Sequence, residues 1–407
     1  MFTSSLQLVI VTSLTRIDKC CQDKLTCSPA SVLAFRPSMT ETKTLSENER
    51  MYWAAWASVP QVGPKRFALL QERFGELSKA WHASNAELRS VFGEGKTVDA
   101  LIQEKQKLNP QENWMRIQNA GVSVVTRLDD TYPELLKEIH NAPAVLFYRG
   151  SLPHPDQTLL AVVGTRVATS YGKAVTSQLV EPLANAGLSI VSGLALGIDG
   201  LAHEAALAAG GKTYAVVGTG LDLVYPPQHA TLADRIVKED GAIISEFALG
   251  MEPLAQNFPQ RNRIVAGMCR GTLVIEAGER SGALLTAKLA LDENREVFCV
   301  PGNITQETSR GTNKFIRLGA QLVTSADDIL TALNLEKSGV ENPAKPPHTS
   351  DDPVEKNILE HLSHNPIHVD ELSRLCDCDP SVITAALVVL ELQGHVRNAG
   401  SMHYTLT

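Results

Sequence analysis

Leu159-Leu160-Ala161-Val162-Val163-Gly164-Thr165-Arg166-Val167-Ala168-Thr169-Ser170-Tyr171-Gly172 is the stretch that decides the fold. An unbroken apolar run ending at a glycine is the pattern of a strand buried on both faces that stops at the edge of a parallel sheet. Thr169 and Ser170 follow as N-cap candidates for a helix. Backbone N–H groups at a glycine turn and a helix N-terminus form an anion site. Arg166 stands beside that site and can hold a phosphate through two parallel hydrogen bonds. The same elements also build plain structural βα turns. Neither G-x-G-x-x-G nor G-x-x-x-x-G-K-[ST] occurs in the stretch, so the other turns of the sheet must decide.

From Leu159 to Leu333 apolar, β-branched runs alternate with helical segments. This predicts an α/β fold with a doubly wound, Rossmann-like parallel sheet. The expected strands are Leu159–Val163, Leu188–Val191, Thr213–Val217, Ala242–Ile244, Leu273–Ile275 and Val297–Val300, with Gln321–Val323 as a seventh. Ligands of such sheets sit beyond the carboxyl ends of the strands. Polar residues gather at those ends: Ser192-Gly193, Gly218-Thr219-Gly220, Ser245-Glu246, Glu276-Ala277-Gly278 before Ser281-Gly282, and Pro301-Gly302-Asn303. Phe258-Pro259-Gln260-Arg261-Asn262-Arg263-Ile264 precedes the fifth strand as a loop and helix start.

Outside this sheet the chain divides further. Residues 1–45 show no sustained periodicity and read as a disordered extension or a misassigned start, with Met39 and Met51 as alternatives to Met1. Residues 46–112 read as a helical domain. In it Val59-Pro60-Gln61-Val62-Gly63-Pro64-Lys65-Arg66 resembles the turn of a helix-hairpin-helix or SAM-like unit, whose amides hold a DNA phosphate, although the usual first glycine is absent. Plain helical packing is the competing reading. Residues 113–335 contain the sheet, led in by a strand-helix-strand segment over Val122–Val125, Glu134–Leu136 and Pro143–Gly150. Residues 336–352 are a Pro-, Lys-, Glu- and Ser-rich linker. Residues 353–407 give three helical patterns and a hairpin, a winged helix. Its presumptive recognition helix, Pro380–Leu392, carries no Lys or Arg, so it is expected to meet a protein rather than phosphate.

The net charge of -8 excludes a global basic field, so a nucleic-acid surface must be a local patch. The 7 cysteines show neither a disulfide framework nor zinc spacing, which fits reduced thiols in a cytoplasmic protein. Leu6–Leu14 is too short and too polar for a membrane span or a secretory signal.

Ser192, Asp199 and His203 invite a catalytic triad. Ser192 does not sit in a G-x-S-x-G elbow, and Asp199 reads as a first-turn helix carboxylate, so hydrolysis is not expected. Tyr171 and Tyr225 either stack bases or pack the sheet edge, and packing is the favoured reading.

The ordered set of turns resembles one known family, DNA processing protein A, also called Smf. The resemblance runs closely from Tyr132 to Val323. It rests on Val163-Gly164-Thr165-Arg166 with Ser170, Ser192-Gly193-Leu194-Ala195 with Gly197-Ile198-Asp199, and Phe258–Ile264. Ser281-Gly282, Pro301-Gly302 and Gly311-Thr312-Asn313 with Gly319-Ala320 complete it. It implies a dimeric protein, not an enzyme, that binds single-stranded DNA and loads the RecA recombinase during natural transformation. No cofactor and no metal are implied.

The residues fit that chemistry. Backbone amides at the strand tips, with Gly164, Thr165, Ser170, Ser192, Gly193, Ser281 and Gly282, are expected to grip phosphates. Arg166, Arg261 and Arg263 supply charge, Asn262 a hydrogen bond to sugar or phosphate, and Lys288 a cation at the rim. For each arginine the alternative is an ion pair, with Glu246 or Glu276 as partners. The competing function is a nucleotide-processing enzyme, a nucleoside monophosphate phosphoribohydrolase on a related fold. Gly218-Thr219-Gly220-Leu221-Asp222 lacks that class's P-G-G-x-G-T-x-x-E pattern. Lys314–Leu318 is the candidate dimer segment, or a helix covering the sheet.

Overall fold

A computed structural model describes residues 45–335, 352–363, 366–400 and 402–406. The expectations for residues 1–44, and for all of the linker but Asp352, lie outside the described residues.

Helices come first: α1 (Glu47–Ala57), α2 (Pro64–Phe74), α3 (Leu77–His82), α4 (Asn85–Phe92), α5 (Lys96–Lys107) and α6 (Pro110–Asn119). Ser46 caps α1 by accepting from Glu49 N. Trp53 and Trp56 of α1 are buried, Trp53 against Phe67 and Trp56 edge-on to Trp81. Pro64 opens α2, where its missing N–H costs nothing. Arg66 is spent on the turn itself, donating to Gln61 O at 2.5 Å. Helical packing thus accounts for the segment that resembles a helix-hairpin-helix. The helical run continues through α6 to Asn119, past the expected boundary at 112/113.

The chain then enters the sheet through β1 (Ser123–Thr126), α7 (Glu134–Glu138) and β2 (Val145–Gly150). The alternating core follows: β3 (Leu159–Val163), α8 (Ser170–Asn185), β4 (Ser189–Ser192), α9 (Ile198–Ala208), β5 (Thr213–Val217), α10 (Ala230–Lys238), β6 (Ala242–Ser245) and α11 (Asn257–Gly267). It closes with β7 (Gly271–Val274), α12 (Gly282–Asp292), β8 (Glu296–Cys299), α13 (Glu307–Arg317), β9 (Gln321–Leu322) and α14 (Ala326–Ala332). The nine-stranded order is β1-β2-β6-β5-β4-β3-β7-β8-β9. From β6 to β9 the strands are parallel, and β1 and β2 pair antiparallel at one end. All five residues of β3 are buried, as an apolar run without alternation requires. Helices α8 and α9 share a core cluster with α14 on one face, and α11 and α12 share one with α7 on the other. The order reverses between β3 and β7, which places the ligand crevice of a doubly wound sheet there.

The last described region is α15 (Pro353–His361), β10 (Ile367–His368), α16 (Val369–Cys376), α17 (Pro380–Leu392), β11 (Val396–Gly400) and β12 (His403–Leu406). The strands form a three-stranded antiparallel sheet against the helices, a winged helix with its own core around Ile358, Leu372, Leu387 and Tyr404. Among the described residues no helix is long and apolar enough to cross a membrane.

His203 of α9 is fully buried, with Nδ1 at 2.6 Å from Thr213 Oγ1. The single hydroxyl hydrogen of Thr213 goes to Ile190 O at 2.9 Å, so Nδ1 must be the protonated nitrogen. Its Nε2 has no partner among the described residues. Burial, with His229 and Arg261 adding to it, drops the His203 pKa from 6.5 to about 3. The folded protein therefore keeps His203 neutral while the unfolded chain takes up a proton near pH 6.5. We expect urea unfolding free energy to fall as pH drops from 6.5 toward 4, by up to about 1.4 kcal/mol per pH unit from this residue. His203→Asn should flatten that slope, and an unchanged slope would remove His203 as its source.

Candidate nucleic-acid interface

A basin of about 910 Å³ opens at the carboxyl ends of β3 and β4, bounded by α11 and α12. Its floor is built by two buried charged residues, Arg261 and Asp199. Arg261, on the first half of α11, is 5% exposed and donates from Nη1 to Gly193 O at 2.6 Å and to Val216 O. Asp199, in the first turn of α9, faces it and accepts from Gly193 N at 3.1 Å. A Cβ placed on Gly193 would lie 2.6 Å from both guanidinium nitrogens and from Asp199 Oδ2, so glycine is required where the two charges meet. Burial pushes the Asp199 carboxyl up, while Arg261 and the N–H groups of Ala195, Gly193 and Gly164 pull it down. Burial lowers the Arg261 guanidinium to about 10, which leaves it charged at neutral pH.

A second carboxylate closes the neighbouring tip. Glu276, two residues past the end of β7, is buried and accepts from Thr169 N at 3.0 Å, Thr169 Oγ1 at 2.6 Å and Thr308 Oγ1 at 3.3 Å. Gly172 permits this, because a Cβ there would sit 2.2 Å from Glu276 Oε2.

These contacts correct the expectation of amides free for phosphate. Gly193 and Gly164 N–H groups point at Asp199, and Thr165 N donates to Glu276 O at 2.8 Å. Ser192 is fully buried and donates to Val162 O at 2.6 Å, so it does not reach the basin. Ser281 Oγ is spent on capping α12 through Ala283 N. Ser192, Asp199 and His203 make no bonds to one another, which disposes of the triad.

Of the expected site residues, Gly164, Thr165, Arg166, Gly193, Arg261, Asn262, Ser281 and Gly282 line the basin. Ser170 does not. It sits at the start of α8, on a separate pocket of about 550 Å³ shared with Tyr171, Glu276 and Ser309. Arg263 is turned away and paired with Glu246, because residues two apart on a helix face different ways. Lys288 lies along α12, exposed and off the basin wall. Asn262 accepts from Arg261 Nε at 3.1 Å. Tyr171 is tied to the β8–α13 loop by its hydroxyl, which donates to Pro301 O at 2.8 Å. Phe315 and Ile316 pack on the core, so the Lys314–Leu318 segment covers the sheet with its apolar face.

The wall holds groups that the turn motifs did not reveal. Arg280 and Arg310 line it beside Arg166, all three exposed and without a carboxylate within 4 Å among the described residues. Glu279 and Glu307 stand near them. Tyr225, expected to pack, is 42% exposed on the wall, and its ring centroid is 5.7 Å from that of Phe258. The Arg166 guanidinium lies 5.7 Å over the other partner of this stack, the Phe258 ring. Arg280 was legible as a cation one residue before Ser281-Gly282. Tyr225 was legible as an aromatic after the third strand, and Arg310 carried no local signal.

The model of the DNA recombination-mediator protein A family matches residues 123–334, and that of the DprA winged helix domain matches 342–400. The chain belongs to this family. It is 34% identical to Protein Smf of Synechocystis over 88% of this chain and 99% of that one. It is 48% identical to DNA processing protein DprA of Streptococcus pneumoniae over 50% of this chain and 71% of that protein. The X-ray structure of the pneumococcal DNA processing protein A superposes with a TM-score of 0.62 at 36% identity, covering 71% of this chain and 98% of the other.

Arg261, through the carbonyls of Gly193 and Val216, is expected to hold the tips of β4 and β5. Arg261→Met strands the Asp199 carboxylate and should cost about 3–5 kcal/mol. Chemical denaturation measures this, and a loss below about 1 kcal/mol would show that Asp199 is satisfied without its partner.

Proposed function

We propose that the chain binds single-stranded DNA in the basin at the β3 and β4 ends, and as a cytoplasmic homodimer delivers it to the RecA recombinase during natural transformation. The carrying observation is the wall of the basin: exposed Arg166, Arg280 and Arg310 around the Tyr225–Phe258 aromatic pair. Solvated, unpaired guanidinium groups release counterions from phosphates. Exposed ring faces stack bases only when those bases are unpaired, and this favours a single strand over a duplex. Membership of a family of DNA recombination mediators supports the same substrate, and RecA delivery and dimerisation follow from the family resemblance. Glu276, the carboxylate an enzymatic reading would need, is committed to Thr169 and Thr308. Strand handling without turnover is therefore the reading we adopt, and adenosine monophosphate should release no base.

Titration with fluorescent oligothymidylate at several salt concentrations tests it. Arg166→Ala and Arg280→Ala should each weaken binding and lower the salt slope by about 0.7 per lost phosphate contact. Tyr225→Ala should cost about 1–3 kcal/mol, the usual worth of one stacked base. Arg263→Ala, its charge already matched by Glu246, should leave the slope unchanged. If folded Arg166→Ala and Arg280→Ala variants bind like the parent, the basin is not the DNA site. Removal of 352–407 should leave affinity within about threefold, since α17 has no cation for a phosphate.

A further inference from the structure

Beside the basin lies a second pocket that the DNA reading leaves unused. It encloses about 550 Å³ and has no lining residue in common with the basin. The β3–α8 loop serves both, giving Gly164–Arg166 to the basin and Thr169–Tyr171 to the pocket. Two helices start at it: the first residues of α8 line it, and so do Gln306, Thr308 and Ser309 at the start of α13. Gly172 N is taken by Thr169 Oγ1, which leaves the N–H groups of Ser170 and Tyr171 without a partner among the described residues. Ser309 is 4% exposed, yet its hydroxyl makes no hydrogen bond to another described residue. Gly302 makes room for it, since a Cβ there would run into Ser309 Oγ. Glu276 lines the pocket as well, buried and without a cation within 4 Å among the described residues. Thr169 and Thr308 give it three donors, of which Oε2 receives only one, so it can accept one more. Tyr171 completes the lining with a half-exposed ring, held in place by its hydroxyl on Pro301 O.

These groups make opposite demands. Free amides at a helix start attract an anion. A buried carboxylate repels one and calls for an O–H or N–H donor. A simple anion or a simple cation would therefore satisfy only half of the pocket. A nucleotide satisfies all of it, because phosphate, hydroxyl-bearing sugar and flat base follow one another. We propose that the pocket takes one nucleotide whose sugar carries a free hydroxyl. That hydroxyl donates to Glu276, the phosphate meets the α8 amides with Ser170 and Ser309, and the base lies on Tyr171. The volume suits a ligand of this size. A free mononucleotide has such a sugar. So has the last nucleotide at the 3′ end of a DNA strand, whereas each internal sugar has its hydroxyl esterified. The strand end as source rests on the basin reading above and on the shared loop, in which Arg166 and Thr169 belong to the two sites.

The test uses the full chain and two pairs of ligands, with calorimetry as the readout. One pair is adenosine monophosphate and its dideoxy form. The other is a thymidine 12-mer ending either in a free 3′-hydroxyl or in a dideoxy sugar. Loss of the hydroxyl should weaken at least one pair by about tenfold, the usual worth of a hydrogen bond to a charged group. Ser170→Glu should erase that preference, since a carboxylate in the first turn suits the helix dipole and the fold but repels the phosphate. Tyr171→Ala should weaken the preferred form by about tenfold through the loss of one stacked base. A preference on the 12-mers identifies the strand end as the source, and a preference confined to the mononucleotides identifies the free nucleotide. No preference in either pair, or one that both variants leave intact, overturns the pocket. Arg166→Ala keeps the two ideas apart: it should weaken both 12-mers alike and preserve their ratio. If Arg166→Ala and Arg280→Ala weaken neither 12-mer while the hydroxyl preference stays, the basin reading fails and the pocket stands by itself.

Discussion

A guanidinium buried at the ends of β4 and β5 sets the terms for everything around it. Charge removed from water has to be met by opposite charge and by hydrogen bonds. Arg261 satisfies this with the carbonyls of Gly193 and Val216 and with Asp199 alongside. Asp199 in turn draws in the N–H groups of Gly164, Gly193 and Ala195. The tips of β3, β4 and β5 are thereby tied into one polar knot at the centre of the sheet edge. Glu276 does the same for the tip of β7 and the start of α8.

This arrangement divides labour between two kinds of polar group. Those at the strand ends are internal and fix the shape of the basin. Those on the loops and helix starts stay in water and give the basin its charge. Arg166, Arg280 and Arg310 belong to the second kind, and Arg261 to the first. Arg263 shows how little separates the two, since it becomes internal only because Glu246 stands opposite. With a net charge of -8 the molecule has no general attraction for phosphate, so the local concentration of solvated arginines is what distinguishes this edge.

The winged helix follows a different logic. Its α17 carries no Lys or Arg and exposes Val382, Val388, Val389 and Leu392, while Ile383, Leu387 and Leu390 fill its core. A helix inserted into a DNA groove draws most of its affinity from phosphate contacts. This one has an apolar outer surface instead, which suits contact with protein.

The sequence by itself determined the strands, the sheet and the family. Leu159–Val163 and Thr213–Val217 are β3 and β5 to the residue, because an uninterrupted apolar β-branched run has one comfortable home, the interior of a parallel sheet. The glycine turns gave the position of the basin for the same local reason. What only the tertiary structure decided was the fate of each polar group there. Amides counted as phosphate donors turned inward to Asp199 and Glu276, and Arg263 turned to Glu246. Tyr225 turned outward to meet Phe258, and Arg310 arrived from a helix after β8. Whether a charge is solvated or spent depends on partners tens of residues away in the chain, and no local pattern of residues encodes that distance.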